Sequence, residues 1–212
     1  FYTLQLYMDF SGSMDAVCGI GQILGVTMPE NFQRPFFSKS ISEFWKRWHI
    51  TLGTWLRDYI FYPVSMSGPL KKLTSHARKH LGNHFGPLIA GSIALFLVWL
   101  ANGLWHGSAW SYIFFGMYHF ALILLGNMVS PAVKWINGKL HINSEWVGYR
   151  WFQIVRTSIL VVIGELFFRA PGLKIGLAMF RKMVTDFHFT TLNVGTLSTL
   201  SLDQKDLFIV LV

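Results

Sequence analysis

Apolar and polar positions along this chain repeat on two scales. On the long scale, three stretches are apolar for about 20 residues, the length needed to cross the hydrocarbon core of a bilayer. They lie at 87–105 ("PLIAGSIALFLVWLANGLW"), 108–128 ("SAWSYIFFGMYHFALILLGNM") and 151–169 ("WFQIVRTSILVVIGELFFR"). The first opens at Pro87, whose missing N–H is not needed in a first helical turn. Residues 1–10 and 205–212 read as the ends of two more spans, one already under way and one cut short. The chain is therefore expected to be an internal piece of a longer multi-span protein, with all-α architecture: a polytopic bundle of transmembrane helices.

On the short scale, residues 40–60 carry apolar side chains at Ile41, Trp45, Trp48, Leu52, Trp55 and Tyr59. Steps of four and three keep these on one helical face. "SISE" at 40–43 has the serine and glutamate of a capping box, and Glu43 stands at ion-pair spacing from Lys46 and Arg47. A tryptophan stripe with basic neighbours predicts an amphipathic helix lying at the membrane interface. The following stretch, 63–86, is rich in Pro, Gly, Ser and basic residues and reads as a connecting loop with one short basic helix.

Charge gives the orientation. Residues 30–85 hold Arg34, Lys39, Lys46, Arg47, Arg57, Lys71, Lys72, Arg78 and Lys79 against Glu30, Glu43 and Asp58. Residues 127–150 hold Lys134, Lys139 and Arg150 against Glu145, and residues 170–204 are nearly balanced. The two basic sections flank the first pair of spans on one side, which the positive-inside rule makes cytoplasmic. Residues 30–86 thus form a cytoplasmic-side interfacial section of a single partial membrane domain, 1–212. With 52% hydrophobic and 13% charged residues, the composition lies far from the ~25% charge of soluble domains. The net charge of +8 is accounted for by span-flanking cations and membrane lipids, not by nucleic acid. A single cysteine, Cys18, excludes an internal disulfide and a thiolate metal cluster. Neither a phosphate-binding P-loop nor a zinc-protease or serine-hydrolase motif is present.

Candidate chemistry rests on the eight histidines. His76, His80 and His84 have no carboxylate or cysteine beside them and read as a solvated basic face, so no metal site is expected. His106 is different: it stands in "LWHGSAW", at the junction of two spans. Ionisable residues within a membrane are costly and mark function by default. Trp105 and Trp110 are placed to wall such a site, Gly103 and Gly107 to open it, and Asn102, one turn earlier, to orient the ring. Against this stands a histidine merely hydrogen-bonded at a helix break. His49, in "FWKRWHITL", is by itself a structural histidine of an amphipathic helix. His119 lies mid-span and reads as structural, as does Glu165 with Arg169 one turn on as its partner. The Ser-Gly pair in "DFSGSMD" (9–15) is expected to break a helix, with Asp9 paired to a basic residue of the long section.

Together, "DFSGSMD" (9–15), "PENFQRPF" (29–36), "SISEFWKRWHITLGTWLRDYIFYP" (40–63), "LWHGSAW" (104–110) and "FFRA" (167–170) resemble the membrane-bound O-acyltransferases. The likeness is to the branch that includes alginate O-acetyltransferases and the D-alanyl transferases of teichoic acids. It spans most of residues 1–170. After "FYP" that branch usually continues with a Leu-Gly-Gly turn, whereas this chain reads "VSMSGPLKKL".

The resemblance implies a tunnel through the membrane, with a thioester donor reaching a histidine from the cytoplasm and the acceptor arriving from the other side. It makes His106 the catalytic histidine and His49 a second catalytic histidine. Asn102 and Trp105 are its supports, and Arg47 and Arg57 are candidates for binding the donor. No bound cofactor is implied; the acyl donor is acetyl-CoA or an acyl-carrier thioester. The expected activity is transfer of an acyl group, acetyl by preference, toward hydroxyls of an exported cell-surface polysaccharide, from a multi-pass protein of the cell membrane. The expected partners are that polysaccharide or a periplasmic or extracellular SGNH-type acetyltransferase. The alternatives are D-alanyl transfer to teichoic acid with a carrier protein or, in a different class, a non-catalytic scaffold or a transporter.

Overall fold

A computed structural model of the chain describes residues 2–186, and every described element is helical; the anticipated span at 205–212 lies outside the described residues. The helices are α1 (Tyr2–Ile23), α2 (Ile41–Arg47), α3 (Ile50–Leu56), α4 (Tyr62–Ser65), α5 (Gly68–His106), α6 (Trp110–Lys139), α7 (Val147–Arg169) and α8 (Leu173–Thr185). A five-residue π-helical turn, Arg57–Phe61, joins α3 to α4. Three of the helices, α5, α6 and α7, are long and apolar enough to cross a membrane, and they cover the three windows read from hydropathy except for residues 108 and 109.

Among the described residues, the compact bundle comprises residues 2–176. Its centre is the α5–α6 hairpin. Gly103 sits against the backbone of Tyr112, Gly116 against the Trp99 carbonyl, Phe96 against Phe120 and His84 against the Asn127 carbonyl. These pairings run in opposite chain directions, so the helices are antiparallel and His106 stands at the tip of the hairpin. Neither Gly103 nor Gly116 has room for a side chain, as close helix packing in a membrane favours. α7 returns along α6, with Phe114 against Phe167, Phe115 against Phe168 and the Tyr118 hydroxyl donating to the Leu160 carbonyl at 2.8 Å. The described part of the second unit, residues 177–186, is the C-terminal portion of α8 and the residue that follows it.

The section between α1 and α5 departs from the sequence reading in several ways. The capping box is present at its start: the Glu43 N–H donates to the Ser40 hydroxyl, and the Glu43 carboxylate accepts from the Lys39 N–H and from Arg47. The continuous helix is not. It breaks at Trp48 and His49, separating α2 from α3. The first half of the stripe is also not laid on a surface. Ile41, Phe44 and Trp48 pack with Trp99, Ile123 and Val161 into the core of the bundle. Phe44, which the stripe omits, is among its most deeply buried side chains. Only Trp55 and Tyr59, beyond the break, keep large exposed rings.

The stretch 63–86 is helical almost throughout, not a loop with one short basic helix. α5 begins at Gly68 and carries the basic residues 71–79 on its first arm. Gly82 interrupts it with a left-handed φ of 77°, which lets the first arm fold back until the Gly86 backbone lies on that of Arg78. Pro87 therefore falls just after the helix restarts, near enough to its beginning to be tolerated. In α1 the Ser-Gly pair causes no break. The Ser13 hydroxyl bonds back to the Asp9 carbonyl at 2.7 Å, within a helix continuous from Tyr2 to Ile23. Asp9 is exposed and forms no ion pair with a described residue.

Candidate active site

α5 must end at His106 for its ring to face inward, and Gly107 provides that end. Gly107 adopts φ 150° and ψ 172°, a region open essentially to glycine alone. A Cβ there would also run into the ring of Tyr112. The His106 ring then lies edge-on to Phe168 of α7, with centroids 4.9 Å apart, and edge-on to its neighbour Trp105 at 4.8 Å.

His49 reaches the same place from the break between α2 and α3. Its backbone is left-handed, φ 49° and ψ 54°, a conformation uncommon outside glycine though enriched for histidine. Its side chain makes no capping bond to α3. Asn31 does this instead, from 20 residues upstream: its carbonyl accepts from the Ile50 N–H at 3.1 Å. Its side-chain oxygen accepts from the Thr51 N–H at 3.2 Å and the Thr51 hydroxyl at 2.7 Å. The His49 ring is left free to stand edge-on to Phe10 at 4.8 Å and Trp105 at 5.6 Å.

Both histidines line one cavity of about 270 Å³, near the small end of ligand pockets. Its walls are otherwise largely aromatic and aliphatic, drawn from α1, α2, α3, α5, α6 and α7. The polar groups on the lining, besides the two imidazoles, include Ser42, Lys46, Asn102 and Glu165. Neither imidazole is hydrogen-bonded to another described residue, so their nitrogens are available to a bound molecule. Burial among aromatic rings holds the His49 ring below the ordinary histidine range, which keeps it neutral near pH 7. A largely apolar cavity with two imidazoles and few other polar groups suits acid–base chemistry on a reagent that water would destroy.

The other residues singled out from sequence fall as follows. Asn102 lies on the cavity wall one turn before His106, with its Oδ1 buried and without a partner among the described residues, and no hydrogen bond joins it to the histidine. Trp105 touches both histidine rings. Trp110 is 74% exposed and does not line the cavity. Arg47 is paired with Glu43 at 2.6 Å and Arg57 with Asp58 at 3.1 Å, and neither lines the cavity; the cation that does is Lys46.

His119 is structural in its contacts. Fully buried, it accepts a hydrogen bond from the Trp45 indole and stacks on Trp99. Among the described residues no cluster of histidine, cysteine and carboxylate side chains could hold a metal ion.

Two residues escaped the sequence reading. Asn31 did so because its role lies in contacts across 20 residues, visible only in three dimensions. Glu165 was assigned to Arg169, but no ion pair joins them. The Arg169 guanidinium lies over the ring of Tyr2, 5.3 Å from its centre, while Glu165, 4% exposed, turns to the cavity with Oε2 unpartnered among the described residues. An acidic residue amid an apolar span was the available signal.

Helices able to span a bilayer, packed around a largely apolar cavity lined by two imidazoles, define an all-α membrane helical bundle with an internal site. Residues 1–78 match the family model described as MBOAT, membrane-bound O-acyltransferase family. The chain is 35% identical over 201 residues to the "Probable alginate O-acetylase AlgI" of Pseudomonas syringae pv. tomato, covering 94% of this chain and 33% of that protein. It is 36% identical over 203 residues to the protein of the same description from Pseudomonas aeruginosa, covering 95% and 33%. It is 34% identical over 163 residues to the "Teichoic acid D-alanyltransferase" of Bacillus subtilis, covering 76% and 35%. The chain belongs to the membrane-bound O-acyltransferase family, and it spans about a third of the length of the curated relatives it matches.

Proposed function

We propose that this chain carries the acyl-transfer site of a multi-pass O-acyltransferase of the cell membrane. The reaction moves an acetyl group from a cytoplasmic thioester, acetyl-CoA or an acyl-carrier thioester, toward hydroxyls of an exported cell-surface polysaccharide. A periplasmic or extracellular SGNH-type acetyltransferase is the partner to which the group would be handed where transfer is indirect. No bound cofactor is required.

The observation that carries this reading is the meeting of His106 and His49 on one small, largely apolar cavity. A hydroxyl attacks a thioester carbonyl only as its proton leaves. In the proposed step His106 takes that proton while the oxygen–carbon bond forms. The carbon–sulfur bond then breaks, and the leaving thiolate recovers the proton from the imidazolium, giving ester and thiol. General-base help of this kind contributes ~10²–10⁴-fold. His49 faces the same space and orients the substrate or, as an N–H donor, polarises the thioester carbonyl. The apolar walls keep water from the thioester. Basic residues 71–79, on the first arm of α5, suit a cytoplasmic face.

Acetyl transfer is preferred to D-alanyl transfer because the alignments with alginate O-acetylases run over 94–95% of the chain, against 76% for the teichoic acid enzyme of Bacillus subtilis. The test uses the intact protein in its own cells, with membrane levels matched. Ester-linked acetyl on surface polysaccharide should disappear in His106→Ala. Loss of teichoic D-alanine with acetyl unchanged would move the acceptor to the alternative. No change in either would return His106 to a structural role.

A further inference from the structure

A helix that starts inside a protein leaves its first N–H groups without partners, and the residue at the cap ordinarily supplies one from its own side chain. α3 is capped differently. The residue at its N-cap is His49, whose ring lies in the cavity between Phe10 and Trp105 and contributes nothing to the cap. The first two N–H groups, of Ile50 and Thr51, both go to Asn31, one to its backbone carbonyl and one to its side-chain oxygen. The same oxygen receives the Thr51 hydroxyl, and Asn31 is itself only 3% exposed.

A second clasp lies beside the first. The Gln33 N–H donates to the Arg47 carbonyl at 3.0 Å, and Phe32 pairs with Trp48 across an isolated antiparallel bridge. Phe32 also packs edge-on to Phe10, the ring that backs His49. Residues 31–33 therefore run alongside 47–51 and grip the chain on both sides of the left-handed residue.

We propose that Asn31 is a positioning residue for His49: by capping α3 in place of the local side chain, it fixes His49 in the left-handed conformation and frees its imidazole for the cavity. The inference rests on the functional reading of His49 given above. Without the Asn31 oxygen, α3 must find another cap. The nearest candidates are the His49 ring itself, which would leave the cavity, or a register shift that moves it. Asn31 uses only oxygens here, since its side-chain nitrogen bonds to no described residue. The role therefore requires an acceptor at this position, not an amide.

The experiment compares Asn31→Leu, Asn31→Asp, His49→Ala and the Asn31→Leu/His49→Ala double variant in the intact protein, with acetyl transfer measured at matched membrane levels. Misplacing a reacting group by about 1 Å costs ~10²-fold, so Asn31→Leu should lose transfer on that scale. Asn31→Asp, an equally good cap, should stay within about threefold of the parent. In the His49→Ala background, Asn31→Leu should lower the residual rate no further.

If Asn31→Leu does not accumulate, Asn31→Ala, which removes the side-chain oxygen without adding bulk, takes its place in the same comparison. Multiplicative losses in the double variant, or an Asp variant as poor as Leu, would overturn the role of Asn31 while leaving that of His49 intact. A His49→Ala protein as active as the parent would instead overturn the reading on which the inference rests.

Discussion

The indole N–H of Trp45 donates to Nδ1 of His119 at 3.2 Å, joining two residues 74 positions apart. Because Nδ1 accepts, the neutral ring carries its proton on Nε2, which faces the bare backbone of Gly164 on α7. The bond fastens α2 to the α5–α6 hairpin and so fixes the wall from which His49 follows.

Trp45→Phe keeps most of the packing and removes the donor. It should lower stability by about 1–3 kcal/mol, the cost of stranding a buried acceptor. The paired Trp45→Phe/His119→Phe variant should recover part of that loss, because both polar partners are gone. Thermal unfolding of the purified protein in one detergent measures both. A Trp45→Phe protein as stable as the parent would mean that the hydrogen bond contributes nothing beyond the ring contacts.

The sequence reading reached the spans because hydropathy over about 20 residues depends on the lipid solvent and hardly on tertiary detail. It reached the Ser40–Glu43 cap because that interaction is local. It singled out His106 because an imidazole at a span junction is conspicuous, and His49 only through family likeness. It failed where distant contacts override local pattern. The stripe from Ile41 to Tyr59 is a sound helical pattern, yet the chain leaves it at His49 because Asn31 and Phe32 hold a different backbone there. Glu165 and Arg169 have ion-pair spacing, yet the cavity and the Tyr2 ring separate their ends. Residues 63–86 read by composition as a loop with one short basic helix, yet the helical arm runs from Gly68 up to the positive-φ Gly82 and the helix then resumes.

Gly107→Ala tests the geometry that ends α5 at His106. An alanine at φ 150° is strained, and its Cβ would meet the Tyr112 ring. The cost in stability should exceed ~1 kcal/mol. Transfer activity should fall further than stability, since the first residue displaced is His106. Tyr112→Leu in the same background removes the ring without relieving the backbone and should not restore activity. Full recovery by Tyr112→Leu would show that steric contact, not the backbone, was the constraint.

His49 gives a signed pH dependence. A free histidine gains its charge near pH ~6.5. Burial depresses the His49 value, so the folded protein binds fewer protons than the unfolded one between that lower value and ~6.5. Stability should therefore fall as pH drops through this window and be insensitive to His49 above it. Transfer that requires a neutral His49 should stay level through pH ~6.5 and decline only at more acid pH. His106, Lys46 and Glu165 share the cavity, so the control is His49→Gln, whose remaining pH profile belongs to them. An acid limb at the ordinary histidine value that vanishes in His49→Gln would contradict the depressed value.

Cations near the site divide into engaged and available. Arg47 and Arg57 each hold a carboxylate, whereas Lys46 is exposed, lines the cavity and has no ion-pair partner among the described residues. A phosphate-bearing thioester entering here should meet Lys46. Lys46→Gln should raise the donor KM roughly fivefold, the ~1 kcal/mol of a solvent-facing charge contact, with kcat little changed. Arg57→Gln should leave the donor KM alone. Steady-state kinetics in proteoliposomes at low salt decides between them, and an effect confined to Arg57 would place donor entry elsewhere.

Glu165 is the acidic group on the cavity wall. A carboxyl group this buried, with an oxygen bonded to no described residue, is held at a cost that a packed apolar side chain would not incur. Its place one turn before Phe168, whose ring abuts His106, puts it on the same face of α7. It is suited to accept a hydrogen bond from a sugar hydroxyl next to the one being acylated. Glu165→Leu should then raise the acceptor KM severalfold, the ~0.5–1.5 kcal/mol of a hydrogen bond. It should leave the donor KM unchanged and the protein at least as stable as the parent. Glu165→Gln keeps a carbonyl oxygen in the cavity and should fall between the two. A Leu variant that loses stability with acceptor kinetics intact would show instead that the carboxyl group holds the bundle together.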